Sequence, residues 1–358
     1  MLKTEFIGNA PAQQQLQRLV AEGRAQRTIV LSGPEGVGKT TLAVRLGLAL
    51  NCQAPPAPGG FCGTCTSCSR VIELEAVPEL IAAALEYREA EVKTQAREAA
   101  PLQVALHPAI RLYPPDGDFL TMAQARSVIR LSEMQPDAGA RWTLIIPDFD
   151  RARWTTQAAL LKTLEEPPAG TTIVVLARNP LALLPTVRSR ALMINLAPVP
   201  LAELQLALQQ AGHADAQLLA KLAQGCPGRA LGLDLERYRE MRAEAFSLLR
   251  GGLAQDALSV FRLSESTRTG KEKFETLLEI LYSVIQDIVY LQSGFSDAVR
   301  NVDSMAELQK LAERLPPRWV PDAVERLDRA SAAAGRNVFR PLALSSWALG
   351  LSSERSAE

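Results

Sequence analysis

Eight consecutive residues, Gly33-Pro34-Glu35-Gly36-Val37-Gly38-Lys39-Thr40, have the spacing of a loop that holds phosphate. They read G-x-x-x-x-G-K-T between an apolar run, Thr28–Ser32, and a helix former, Thr41–Leu50. Gly33, Gly36 and Gly38 let backbone N–H groups turn inward around an anion, and the following helix turns its positive end to the same anion. Lys39 would reach the outer phosphates, and the Thr40 hydroxyl would join a bound Mg²⁺, with Thr41 beside it. The ligand class this chemistry suits is ATP with Mg²⁺.

A second cluster begins twelve residues past the loop. Cys52, Cys62, Cys65 and Cys68 read C-x9-C-x2-C-x2-C. Two thiolates of one tight turn reach a single ion, and four make a closed tetrahedral Zn²⁺ site with no open position, hence structural. The Pro- and Gly-rich segment 54–60 returns Cys52 to the other three. Cys226 stands far off in sequence and reads as a packed residue. His107 and His213 sit in no ligand-like pattern and receive no role.

These residues need elements to position them. The 358-residue chain is 47% hydrophobic and 22% charged with a formal net charge of zero, enough for two or three cores but without a basic field to grip nucleic acid alone. The N-terminus shows no signal-like apolar segment and no run of 18 apolar residues occurs, so the expected setting is cytoplasmic, with no membrane. In a reducing compartment, clustered cysteines read as metal ligands before disulfides.

Short β-branched runs at Thr28–Ser32, Ala109–Tyr113, Thr143–Ile146, Thr172–Ala177 and Leu192–Leu196 suit strands buried on both faces. Helical patterns at Pro11–Glu22, Thr40–Leu50, Met122–Met134 and Thr155–Leu164 alternate with them, which predicts a parallel sheet with helices on both sides. Ala197-Pro198-Val199-Pro200 reads as a boundary, after which the chain is helical, including Phe274–Gln292 and Pro321–Ala334, with a frayed tail from Ser352.

In chain order, the GPEGVGKTTLA loop, the four cysteines, Ala159-Leu160-Leu161-Lys162-Thr163-Leu164-Glu165-Glu166-Pro167-Pro168 and Leu184-Pro185-Thr186-Val187-Arg188-Ser189-Arg190 resemble the AAA+ clamp-loader subunits of bacterial DNA polymerase III. The resemblance covers residues 5–230. It implies an α/β AAA+ fold, with a P-loop on a parallel sheet and an inserted zinc module, followed by all-α lid and collar domains. The expected divisions are 1–197 with the zinc module at 52–68 and a helical insertion at 70–106, then 198–245, then 246–358. It further implies a hetero-oligomer with gamma/tau and delta subunits that loads a sliding clamp on primer-template DNA.

Two branches share the motifs, the gamma/tau ATPases and delta-prime. The ATPases carry Asp-Glu at the end of the strand before the LEEPP helix, and those positions fall here on Pro147 and Asp148. A second register makes Asp148 the metal ligand and sets Asp150 near the water. The sensor position after the next strand falls near Ala177-Arg178. These changes favour delta-prime, with feeble hydrolysis at the chain's own loop, and the end of the chain at Glu358 agrees with that branch. The alternative is a catalytically active gamma/tau-type ATPase.

The resemblance also implies that Arg190, in Ser189-Arg190-Ala191, is an arginine finger donated in trans to a neighbour's ATP, and that Arg229 approaches the phosphate held by Lys39. The alternatives are a surface arginine in a local ion pair for Arg190 and a solvated helix start for Arg229. Ile7-Gly8-Asn9 matches a segment bordering the adenine pocket. The 80–93 stretch, rich in helix formers, reads as a solvated helix or a partner-binding arm.

Overall fold

A computed structural model of the chain describes residues 6–71, 76–91, 99–134, 139–268, 270–334 and 339–351. The frayed tail expected after Ser352 and residues 92 and 93 of the expected insertion helix fall outside them.

The chain forms two compact units. The first comprises residues 1–207 with 225–229, and the second comprises 208–224 with 230–358. The lid expected at 198–245 is therefore shared between them. A helix, Leu235–Leu253, runs across the junction expected at 245.

The first unit opens with α1 (Ala10–Ala21), β1 (Thr28–Ser32), α2 (Lys39–Asn51) and α3 (Val77–Glu91). It continues with β2 (Val104–His107), β3 (Ile110–Leu112), α4 (Met122–Glu133), β4 (Trp142–Ile146), α5 (Trp154–Glu165), β5 (Thr171–Ala177), α6 (Pro185–Arg190) and β6 (Leu192–Asn195). The sheet order is β2-β3-β4-β5-β1-β6. β1, β3, β4, β5 and β6 pair in parallel. Every residue of β1, β4 and β5 is buried, as uninterrupted β-branched runs require when helices cover both faces.

The sheet departs from the all-parallel expectation at one edge. β2, which the sequence reading did not identify, runs antiparallel to β3 through the short turn at Pro108 and Ala109. Its four residues, Val-Ala-Leu-His, are too few to announce an alternation.

Threonine hydroxyls fasten strands to neighbouring segments. Thr28 Oγ1 donates to the Leu164 carbonyl at 2.6 Å, and Thr172 Oγ1 donates to that of Ala25 at 2.7 Å. α4 starts at a capping box in which Thr121 Oγ1 accepts from the Gln124 amide and Gln124 Oε1 accepts from the Thr121 amide. Strand order with these joints brings the carboxyl ends of β1, β4 and β5 side by side, where the phosphate loop leaves the sheet.

The second unit is helical among its described residues. Its main elements are α8 (Ala216–Leu222), α10 (Leu235–Leu253), α11 (Ala257–Glu265), α12 (Lys271–Gln292), α13 (Met305–Arg314), α14 (Trp319–Ala334) and α15 (Arg340–Leu349), while α7 (Leu201–Gln210) and α9 (Pro227–Gly232) each have residues assigned to both units. Phe274, Leu281, Ile288, Leu327 and Trp347 are buried in one core. α10 meets α15 at Gly252, where a Cβ would lie 2.2 Å from the Ala348 carbonyl oxygen. Arg242 forks onto both oxygens of Asp303 at 2.7 Å each.

Candidate functional site

The loop residues 33–38 join β1 to α2 with positive φ at Gly33 (145°), Gly36 (76°) and Gly38 (105°), backbone that favours glycine. Gly38 caps α2, and no side chain caps the amides of its first turn. Segment 225–229 backs the loop: the Gly228 amide donates to the Gly36 carbonyl at 2.7 Å. Arg229 lies so close that a Cβ on Gly36 would fall 2.6 Å from Arg229 Cγ. Arg229, expected to approach a phosphate held by Lys39, stands beside the loop that precedes that lysine. Cys226 is buried in a core with Ile29, Val37 and Leu42, as expected of a packed residue. Asn9 exchanges two hydrogen bonds with the Ala197 backbone, and Phe6 lies against Gly38.

Lys39 folds back, its Nζ donating to the Gly33 and Pro34 carbonyls at 2.7 Å each. Burial lowers its pKa, and the neighbouring Arg178 guanidinium lowers it further. Thr40 and Thr41 follow in the first turn of α2, half-buried.

The carboxylates stand just beyond β4. Asp148 has φ 47°, a left-handed conformation that Asp tolerates. Arg178, the first residue past β5, donates from Nη1 to Glu35 Oε2 at 2.7 Å and from Nε to Asp148 Oδ1 at 3.4 Å. Asp150 Oδ2 accepts the Arg178 and Asn179 amides at 3.1 and 2.9 Å, while its Oδ1 is buried with no hydrogen-bond partner.

These residues do not fit Mg²⁺ as they stand. That ion takes a hydroxyl and one or two carboxylates beside phosphate oxygens. Pro147 offers no side-chain oxygen, and Asp148 already faces a guanidinium. The sequence reading placed Arg178 at an altered sensor position but missed its bridging of Glu35 and Asp148. No local signal announced it, since Glu35 and Asp148 lie far from Arg178 in the chain.

The four cysteine sulfurs lie within 4.8 Å of one another, and none forms a disulfide. Cys52 and Cys62 sulfurs stand 3.6 Å apart, near the roughly 3.8 Å edge expected of four thiolates around one zinc. The Cys68 amide donates to Cys65 Sγ at 3.4 Å and the Cys65 amide to Cys62 Sγ at 3.2 Å. Such bonds stabilise thiolates: with the Cys68 amide as first cause, the Cys65 pKa falls to about 6. Burial pushes Cys68 up to about 12. The donor set fits a tetrahedral thiolate-binding ion such as zinc, whose charge would offset crowding four sulfurs together.

Three contacts fasten this module to the sheet unit. A Cβ on Gly59 would lie 2.0 Å from the Gln17 carbonyl oxygen of α1. Arg45 of α2 stands over the Phe61 ring at 5.3 Å from its centroid. His107, buried at the end of β2, accepts the Ala109 amide at Nδ1 and lies 3.1 Å from the Ser67 carbonyl through Nε2. The Nδ1 acceptor role leaves the proton on Nε2, which donates to Ser67. The sequence reading gave His107 no role; its tie to residue 67, forty positions earlier, carries no local signal.

α3 spans Val77–Glu91 within the expected insertion. It is anchored to the unit: Arg88 is buried and donates to Asp116 Oδ2 at 2.7 Å. Arg190 ends α6 on the surface, its side chain 54% exposed, and donates to Glu165. No described helix is long and apolar enough to cross a membrane.

A family model described as DNA polymerase III, delta subunit matches residues 8–200, more than half of the chain. A second, for the C-terminal part of the delta subunit, matches 240–352. Among curated relatives, the chain is 28% identical to DNA polymerase III subunit delta' of Pseudomonas aeruginosa, covering 68% of this chain and 67% of that protein. It is 28% identical to subunit delta' of Escherichia coli, covering 84% and 81%. It is 25% identical to subunit tau of Salmonella typhimurium, covering 82% of this chain and 45% of that protein.

Proposed function

This chain belongs to the DNA polymerase III delta subunit family, and on that premise we propose that it serves as the delta-prime stator of a clamp loader. In this reading it assembles with gamma/tau and delta subunits, and the assembly places a sliding clamp on primer-template DNA. The stator contributes little hydrolysis itself. It lends the Arg190 guanidinium to ATP bound by a neighbour.

One observation carries the reading: the carboxylate that follows β4, Asp148, faces Arg178, and the residue before it is Pro147. Phosphoryl transfer rests on positioned charge and a positioned water. Here the acid is engaged and the adjoining position has no acid. Asp148 keeps at most a minor part in the chain's own chemistry.

The Arg190 side supports the same reading. An arginine for use in trans must reach solvent and leave its resting partner at small cost. Arg190 is exposed, and an exposed pair such as Arg190–Glu165 is worth about 1 kcal/mol or less. A planar guanidinium placed on the developing charge raises phosphoryl-transfer rates by about 10³–10⁵. Supplied by another subunit, it would make hydrolysis wait for assembly.

We read the four-cysteine cluster as a structural zinc site. Four thiolates fill the tetrahedron and leave no place for substrate. Its fastenings to α1, α2 and β2 suit a brace for the sheet edge and for the helix that carries Lys39.

The intact loop favours one competing reading, an active gamma/tau-type ATPase. The purified chain decides between them. The stator reading expects background ATP turnover from the chain alone, even with clamp and primed DNA. Brisk turnover abolished by Lys39→Ala would replace it with the ATPase reading.

A further inference from the structure

We infer that Arg178 occupies the place of the divalent cation in this chain's own nucleotide site, so that the Gly33–Thr41 loop takes a nucleoside polyphosphate without Mg²⁺. The inference rests on the reading above that the loop holds nucleotide but does not cleave it well, and it adds how the nucleotide would be held.

The backbone brings Arg178 to this point. β5 pairs with β1 in the register Ser32↔Ala177, and the Gly33 amide donates to the Ala177 carbonyl at 3.2 Å. Arg178 therefore leaves the sheet beside the first glycine of the loop. Asp150 holds its backbone amide and that of Asn179, which fixes the start of the side chain. The guanidinium then spans from the loop carboxylate, Glu35, to the strand-end carboxylate, Asp148.

A Mg²⁺ in such a loop links phosphate oxygens to the acid that follows the sheet. Arg178 makes the same link with a charge that is permanent across physiological pH and with donors arranged in a fork. Its hold on Asp148 leaves that carboxylate facing a cation already, which disfavours a second one. Its hold on Glu35 is a different matter. The Glu35 side chain is 65% exposed and that of Arg178 43% exposed. A pair this wet is easily exchanged for a phosphate dianion, which offers more charge and more acceptors.

The other cations point the same way. Arg178 lies close enough to Lys39 for the two cations to repel, and Arg229 lies against Gly36. A polyphosphate arriving among three positive side chains relieves their repulsion. Glu35 then acts as a stand-in anion that keeps Arg178 over the loop until nucleotide comes.

Titration of the full chain with fluorescently labelled ADP and with ATP, in excess Mg²⁺ and in excess EDTA, tests this. The wild-type dissociation constants should agree within about threefold between the two conditions, well under the tenfold step worth about 1.4 kcal/mol. Arg178→Ala should weaken binding in EDTA by about tenfold or more with unchanged circular dichroism, and Arg178→Lys should recover part of it. Glu35→Gln should tighten binding severalfold by removing the competing anion. Wild-type binding that falls tenfold in EDTA would overturn the inference. So would an Arg178→Ala chain that binds as wild type does in EDTA, or a wild-type chain that binds neither nucleotide. None of these results bears on Arg190, whose role is read from turnover of the assembled complex.

Discussion

Arg190 and Glu165 each end a helix, α6 and α5, and meet on the surface of the first unit, the guanidinium donating to the carboxylate. Both helix C-termini carry partial negative charge, which favours the arginine there. The pair is solvent-exposed and stores little energy. On the proposed reading it would hold the Arg190 cation near the end of α6 and release it at small cost. Glu165→Ala is therefore expected to change stability by less than about 1 kcal/mol in denaturant unfolding. Clamp-dependent ATP turnover of the reconstituted assembly should be equal or higher. A loss as deep as that from removing Arg190 would mean Glu165 itself serves the reaction.

Metal analysis should find about one zinc per chain, bound by Cys52, Cys62, Cys65 and Cys68. A strong chelator should loosen the module around residues 52–71 while the sheet keeps its signature in circular dichroism. Hydrogen exchange would localise the change. Cys65→Ser should lower the zinc content, since it removes the thiol whose pKa backbone donors depress to about 6. A metal-free protein with protected amides in this region would contradict the brace role.

Buried His107 has a pH signature that its bond to Ser67 opposes only in part. Burial lowers the His107 pKa below its usual value near 6.5, with Arg70 and Arg111 adding to the effect. The unfolded chain then binds the proton more readily than the folded one. Stability should be independent of this group above about pH 6.5 and should fall as pH drops below it. His107→Gln should lose that slope and should cost about 1 kcal/mol at neutral pH through the lost hydrogen bonds. Unfolding measured between pH 5 and 8 checks both; equal slopes in the two proteins would refute the assignment.

Two glycines with positive φ provide a matched pair. Gly36→Ala would drive a Cβ to 2.6 Å from Arg229 Cγ and 2.7 Å from Arg229 N at φ 76°. Gly170→Ala at φ 80° meets nothing within 4 Å. The second should cost about 1 kcal/mol from backbone strain alone. The first should cost about 2 kcal/mol or more and should weaken nucleotide binding. Equal costs would mean that segment 225–229 does not press on the loop.

Much of this architecture was legible because its signals are local. The runs Thr28–Ser32 and Thr171–Ala177 are unbroken and β-branched, and they became the central strands. Thr121 and Gln124 mark the start of α4 in the sequence itself. The cysteine spacing led directly to a cluster of four sulfurs. What sequence could not show depends on tertiary approach. β2 is four residues long and borrows its pairing from β3. His107 gains its role from Ser67, and Arg178 gains its role from Glu35 and Asp148, 143 and 30 positions away. An arginine after a strand looks like any surface charge until the fold supplies both carboxylates.

The central claim is that this chain's Arg190 acts on ATP held by another subunit. ATP turnover of the assembly reconstituted with gamma/tau and delta, clamp and primed DNA, compared between wild type and Arg190→Ala at equal assembly, tests it most directly. The account predicts a fall at the affected site of about 10³-fold or more, with the variant folding and assembling normally and Arg190→Lys giving poor rescue. Undiminished turnover in the Arg190→Ala assembly would contradict it.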